Sequence, residues 1–183
     1  MPIRKIDAHT ALIVVDFQEF TRPFAGDAGP IAYKVAANLA AAFRARSRPV
    51  VLVNTAGVVS GRGDLSPDGN RFSIPTEGLT LVPELGEQPS DIVVTKLNWG
   101  AFASTDLEQR LSSMGVTQVV ICGTAASIGV ESTARQAHEA GLNITFAVDA
   151  IIDSNPVALK NSMERIFPML GETGQSADII AML

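Results

Sequence analysis

The sequence is poor in the side chains from which many catalytic centres are built. Its 183 residues include one cysteine, Cys122, and two histidines, His9 and His138. A single cysteine cannot close an internal disulfide, which agrees with a reducing compartment. Basic residues are outnumbered, 14 Lys and Arg against 19 Asp and Glu, for a net charge of −5. No Lys/Arg cluster stands out, so nucleic acid is excluded as a partner. No apolar run approaches the ~18 residues that cross a bilayer. The segment Met1–Thr10 lacks the apolar stretch of a signal peptide. The expectation is a cytoplasmic protein with no membrane partner. There is no Gly-x-Gly-x-x-Gly and no Walker Gly-Lys-Ser/Thr, so no nucleotide cofactor is expected.

The apolar fraction is 46% and the charged fraction 18%, a composition that buries a core rather than staying disordered. The length suits one domain over residues 1–183. Ala11–Asp16 is a continuous apolar run ending in a carboxylate, which marks a strand buried on both faces. Similar runs at Pro49–Val53, Asp91–Thr95, Gln118–Cys122 and Asn143–Val148 predict four more strands, and Gly171–Gly174 a weak sixth. Helical spacing covers Pro30–Arg46, Thr105–Met114, the stretch from about Gly129 to Ala140, and Pro156–Leu170. Thr105 and Glu108 have capping-box spacing, and Ser176 is placed to cap a last helix over 177–183. Asn54–Pro89 is rich in Gly and Pro, and loops of this length are usually lids or binding loops. Strands alternating with helices predict a three-layer, doubly wound, mostly parallel α/β sheet.

Such sheets bind ligands outside the carboxyl ends of their strands. Asp16 closes the first strand, Lys96 closes the third, and the small-residue turn Gly123–Gly129 follows the fourth. A carboxylate after five apolar residues needs a partner, either a structural one or one in a site. A nearby lysine would hold it ionised or share its proton. Backbone N–H groups left open by Gly123, Ala125, Ala126 and Gly129 suit an anion or a developing oxyanion; a tight strand-to-helix connection would demand the same small residues. Cys122 falls inside a strand, where a cysteine is an inert small hydrophobe. Ser127 lacks an adjacent histidine. Asp64 and Asp68 read as solvated turn residues, and Arg62 and Arg71 as loop arginines able to meet a carboxylate.

Three segments in this order, Ala11–Gln18 (ALIVVDFQ), Val93–Phe102 (VVTKLNWGAF) and Val119–Ala137 (VVICGTAASIGVESTARQA), resemble the isochorismatase-like, or cysteine hydrolase, family. The resemblance runs over essentially the whole chain. It implies a Rossmann-like, six-stranded sheet in the order 3-2-1-4-5-6 and, commonly, a homodimer or homotetramer. In the family's amidases the catalytic set is an aspartate, a lysine and a cysteine, which match Asp16, Lys96 and position 129. Position 129 is a glycine here, and the threonine of the family motif is replaced by Ala126. The resemblance also implies a cis peptide between Thr124 and Ala125, with the N–H groups of Ala125 and Gly129 toward the substrate. Gln18, Thr124, Ala126, Trp99 and Phe102 are the remaining candidates for substrate contact. Nicotinamidases of the family hold a metal through histidines after the second strand; that segment has none, so neither zinc nor another cofactor is expected.

Without a thiol, attack on a carbonyl to form an acyl-enzyme is closed. The isochorismatase branch works without one, with the aspartate as general acid on a vinyl ether, and it also carries glycine at this place. Three readings stay open. They are a vinyl-ether hydrolase acting on a small organic acid, an amidase-type scaffold that has lost its cysteine, and a non-catalytic binder of small acids.

Overall fold

The computed structural model describes residues 3–58, 61–64, 67–69 and 72–183. Six strands form one parallel sheet: β1 (Thr10–Val15), β2 (Val50–Thr55), β5 (Ile92–Lys96), β6 (Gln118–Gly123), β7 (Asn143–Ile151) and β8 (Glu172–Gly174). A two-stranded hairpin, β3 (Gly57–Val58) with β4 (Phe72–Ser73), stands apart. The sheet order is β5-β2-β1-β6-β7-β8, which is the expected 3-2-1-4-5-6 once the hairpin is set aside. The first strand is therefore central, and the chain winds outward from it in both directions.

The apolar runs explain this placement. Every residue of β1 is buried, as is every residue of β6, its neighbour. Each such Val or Ile contributes about 1.5–3 kcal/mol when wholly removed from water. β5, at the edge, alternates, with Val94 and Lys96 buried and Val93 and Thr95 exposed. Helix α1 (Gly29–Arg44) buries Ala32, Tyr33, Ala36, Leu39, Ala40 and Phe43. Those positions recur every three or four residues and lay one stripe against the sheet. The other helices are α2 (Leu107–Ser113), α3 (Glu131–Glu139), α4 (Pro156–Asn161), α5 (Phe167–Leu170) and α6 (Ser176–Met182). No helix among the described residues is long and apolar enough to cross a membrane.

Several local expectations change. The predicted helix over 156–170 is three pieces, because a π-helical segment at Ser162–Ile166 separates α4 from α5. The capping box before α2 does not form. Thr105 Oγ1 donates to the Ala101 carbonyl at 2.6 Å and accepts from the Leu107 N–H, leaving Asp106 as a cap without a side-chain bond. Ser176 is itself capped, since the Asp149 carboxylate accepts from both its N–H and its hydroxyl, at 2.8 and 2.6 Å.

The long segment after β2 is tied down in its second half. Glu19 and Phe20 donate their N–H groups to the Thr80 and Gly78 carbonyls, and Val82 donates to Phe17. Residues 17–20, just past Asp16, thus run antiparallel to 78–82. Phe20 packs at 5.9 Å from Phe24 and at 5.5 Å from Phe72, centroid to centroid. Arg62 is exposed, and Arg71 lies outside the described residues.

Candidate active site

β1 ends at Val15, and Asp16 turns the chain in a left-handed conformation, φ 54°. Aspartate tolerates that region better than most residues, and the backbone around it is fully tied. Its N–H donates to the Val53 carbonyl at 2.8 Å, and its carbonyl accepts from Gln18 N–H and Thr21 Oγ1 at 3.0 and 2.6 Å. The carboxyl group is thereby turned inward, where only 5% of the residue is exposed.

Lys96 reaches it from the end of β5, two strands away. Nζ donates to Asp16 Oδ2 at 2.7 Å and to the Asn98 carbonyl at 3.1 Å, and both side chains are buried. The other carboxyl oxygen, Oδ1, is buried with no hydrogen-bond partner among the described residues. Burial raises the Asp16 carboxyl to about 6, because desolvation of the charge outweighs the pull of Lys96. A buried ion pair is weak evidence for stability, since desolvation offsets much of its attraction. An orphaned oxygen in the pair makes it weaker still.

The small-residue turn closes the third side. The Thr124–Ala125 peptide is cis, as the resemblance implied. A single π turn, Ala126–Val130, then leads into α3. Thr124 N–H is held by the Val15 carbonyl and Ala126 N–H by Ile152, each at 2.9 Å, while the Ala125 N–H between them meets no acceptor among the described residues. Gly129 is buried beside the acid. A Cβ there would stand 2.8 Å from Asp16 Oδ2, 3.0 Å from the Thr124 carbonyl and 3.1 Å from Val15 Cγ1. A side chain at this position would need the Asp16 carboxylate to shift.

The sequence candidates divide accordingly. Asp16, Lys96, Thr124, Ala125 and Gly129 converge. Gln18 does not serve the site directly: its amide donates to the Thr55 and Gly78 carbonyls at 3.0 and 2.9 Å and accepts from the Thr55 N–H at 2.7 Å. That is a strut joining β1, β2 and the 76–79 turn, with both amide N–H groups spent. Ala126 is fully buried with its N–H spent. Phe102 is a core residue at 8% exposure, whereas Trp99 is 56% exposed. Sequence reasoning missed Asn98, whose carbonyl holds Lys96. Only its nearness to Lys96 in sequence would have signalled it.

Other nucleophiles do not fit. Burial pushes the Cys122 thiol up, and the strand encloses it completely. Ser127 Oγ donates to Asp153 at 2.7 Å, with no histidine at hand. His9 and His138 adjoin the starts of β1 and β7, at the opposite edge of the sheet. Among the described residues no three of His, Cys, Asp and Glu gather at metal-binding distance. The segment after β2, residues 56–89, holds no histidine.

The profile of the isochorismatase domain matches residues 10–178. The chain belongs to the isochorismatase family. One family relative, the uncharacterized isochorismatase family protein YecD of Escherichia coli O157:H7, is 37% identical over 182 residues, covering 95% of this chain and 96% of its own. An isochorismatase family protein from Burkholderia thailandensis has a solved structure that superposes with a TM-score of 0.90 at 36% identity, over 98% and 97% of the two chains. The ureidoacrylate amidohydrolase RutB of Pseudomonas savastanoi pv. phaseolicola is 29% identical over 164 residues, covering 73% of this chain and 66% of its own. The family comprises hydrolases, and the three-layer sheet seen here is its fold.

Proposed function

We propose that this family member hydrolyses the vinyl ether of a small organic acid, isochorismate or a close relative, with Asp16 as general acid and no covalent intermediate. The observation that carries the reading is the Asp16 carboxyl. It is buried beside Lys96, raised to about 6, with one oxygen unpartnered, and no thiol shares the site. A pKa near 6 leaves about a tenth of the groups protonated at pH 7, enough to serve an acid near neutrality.

Oδ2 is committed to Lys96, so the proton sits on Oδ1. Oδ1–H transfers its proton to the terminal CH2 carbon of the enol ether, which becomes a methyl group, and the adjacent carbon becomes an oxocarbenium ion. The Asp16 carboxylate left behind is steadied by Lys96 and lies next to that cation. Water adds to the carbon and returns a proton to Asp16. The hemiketal then breaks its C–O bond as its hydroxyl proton passes to the departing oxygen, releasing pyruvate and a dihydroxycyclohexadiene acid. The unoccupied Ala125 N–H is suited to a substrate carboxylate or carbonyl oxygen, and the exposed Trp99 ring to an apolar contact with the substrate.

A second reading, an amidase scaffold without its cysteine, is favoured by the match to RutB. Against it, a Cβ at 129 would stand 2.8 Å from Asp16 Oδ2, so a side chain there requires the carboxylate to move off its bond with Lys96. Two assays separate the readings. Purified protein is given isochorismate, with pyruvate measured, and a panel of small amides, with ammonia measured, and the Gly129→Cys variant is run beside it. Pyruvate release by the wild-type protein, abolished in Asp16→Asn, is the expected result. Amide turnover gained in Gly129→Cys with no pyruvate from the wild type would sink the proposal. Binding of isochorismate without turnover of either class would leave a non-catalytic binder.

A further inference from the structure

The two halves of this site come from different parts of the chain, the turn at 124–129 and the segment 96–103 after β5. Their meeting is not left to the sheet alone. Thr133, fully buried in α3, donates from Oγ1 to the Gly129 carbonyl at 2.7 Å and accepts the Ala101 N–H at 3.1 Å. One helical turn on, Gln136 Oε1 accepts the Phe102 N–H at 3.0 Å. Gly100 lies so close against the Gln136 amide that a side chain there would collide with it. The segment so held carries the Asn98 carbonyl, which accepts from Lys96 Nζ at 3.1 Å, and Trp99.

A threonine donating to the carbonyl four residues back is common inside helices, and it accounts for the first bond only. The second bond crosses to another element. It satisfies a buried N–H that has no other partner among the described residues.

We propose that Thr133 is a positioning residue that locks the Lys96 segment to the Gly129 turn, so that Nζ stays on the Asp16 carboxylate and Trp99 keeps its place on that segment. This rests on Asp16 and Lys96 being the working pair, but its test needs no substrate. Trp99 is the only tryptophan in the chain, so its fluorescence reports on this segment alone. Lys96 is the one charged group acting on the Asp16 carboxyl among the described residues.

The experiment compares the wild type with Thr133→Val, which keeps the shape and loses the hydroxyl, and with Thr133→Ser, which keeps the hydroxyl. Trp99 anisotropy is measured in the native state, and the Asp16 carboxyl is titrated by carbon NMR, assigned by its loss in Asp16→Asn. In Thr133→Val, Trp99 anisotropy falls and the Asp16 midpoint rises by at least about half a pH unit, because a withdrawn Nζ no longer favours the charged form. Thr133→Ser restores both. Should Thr133→Val fail to fold, Gln136→Met, at a partly exposed position, must shift both readouts in the same directions. A lowered melting temperature with both readouts unmoved, a fall in the midpoint, or Thr133→Ser behaving like Thr133→Val would overturn the proposal. If isochorismate is not a substrate, these readouts still decide the role of Thr133.

Discussion

Gly129→Ala puts a methyl group where the carboxylate of Asp16 lies, and its cost can be worked from the contacts. The new carbon would meet Asp16 Oδ2 at 2.8 Å, the Thr124 carbonyl at 3.0 Å and Val15 Cγ1 at 3.1 Å. Oδ2 is the end of a short side chain, yet it is anchored by Lys96 and cannot swing away freely. Overpacking of this kind costs about 1–3 kcal/mol. The position is in the first turn of a helix with no positive φ, so alanine there would otherwise gain about 1 kcal/mol over glycine. The net is a loss of about 1 kcal/mol, which lowers the melting temperature by about 2–4 °C in a chain of this size. A double-variant cycle isolates the cause. With Asp16→Ala as background the carboxylate contact is gone, the Thr124 and Val15 contacts remain, and a coupling energy of about 1–2 kcal/mol is expected. Thermal denaturation above pH 7 reads all four proteins. If Gly129→Ala stabilises the wild-type protein by about 1 kcal/mol, or if the cycle shows no coupling, then Asp16 does not fill the space of the missing side chain.

Other perturbations have equally definite outcomes. Lys96→Met strands the carboxylate without its cation. Above pH 6 the fold loses about 3–5 kcal/mol in denaturant unfolding, and the Asp16 midpoint moves above its wild-type value of about 6. Gln18→Leu cuts three bonds that join β1, β2 and the 76–79 turn. It lowers stability by about 1–3 kcal/mol in the same measurement, a loss that a ligand-facing glutamine would not cause. Ser127→Ala removes a hydroxyl that serves Asp153, and leaves kcat for isochorismate within about twofold of wild type, as a residue outside the chemistry should.

Much of the fold could be read from the chain because the buried strands are continuous apolar runs. Leu12–Val15, Val50–Val53 and Val119–Cys122 admit no other partner than a sheet covered on both sides. The ends of elements were harder. Ser176 and Thr105 each have cap-forming side chains, but Asp149 and the Ala101 carbonyl, distant or looped back in space, compete for them. The site divides along the same line. Asp16 and Lys96 could be placed together because both close strands on one edge of a parallel sheet. Gln18 and Ala126 sit beside them in sequence and look as suitable, yet their polar groups are consumed by neighbours that only the folded chain supplies. Asn98 and Thr133 act through a backbone carbonyl and a bridging hydroxyl, for which no residue type is diagnostic. The filled space at Gly129 was the least accessible, because a glycine shows where a side chain is missing and nothing about what stands in its place.

The raised Asp16 carboxyl also ties stability to pH. Its proton is held more tightly in the fold than in the unfolded chain, so stability is highest below 3.8 and declines as pH rises to about 6. The same group sets the catalytic expectation, and the most direct measurement is the pH dependence of kcat/KM for isochorismate hydrolysis over about pH 5 to 9. Asp16 acting as the acid predicts full activity below about 6 and a decline of about tenfold per pH unit above it, with Asp16→Asn lower by about 10²–10⁴-fold throughout. A rate that is flat or rising between pH 6 and 8, or an Asp16→Asn variant that keeps its turnover, would contradict acid catalysis by this carboxyl.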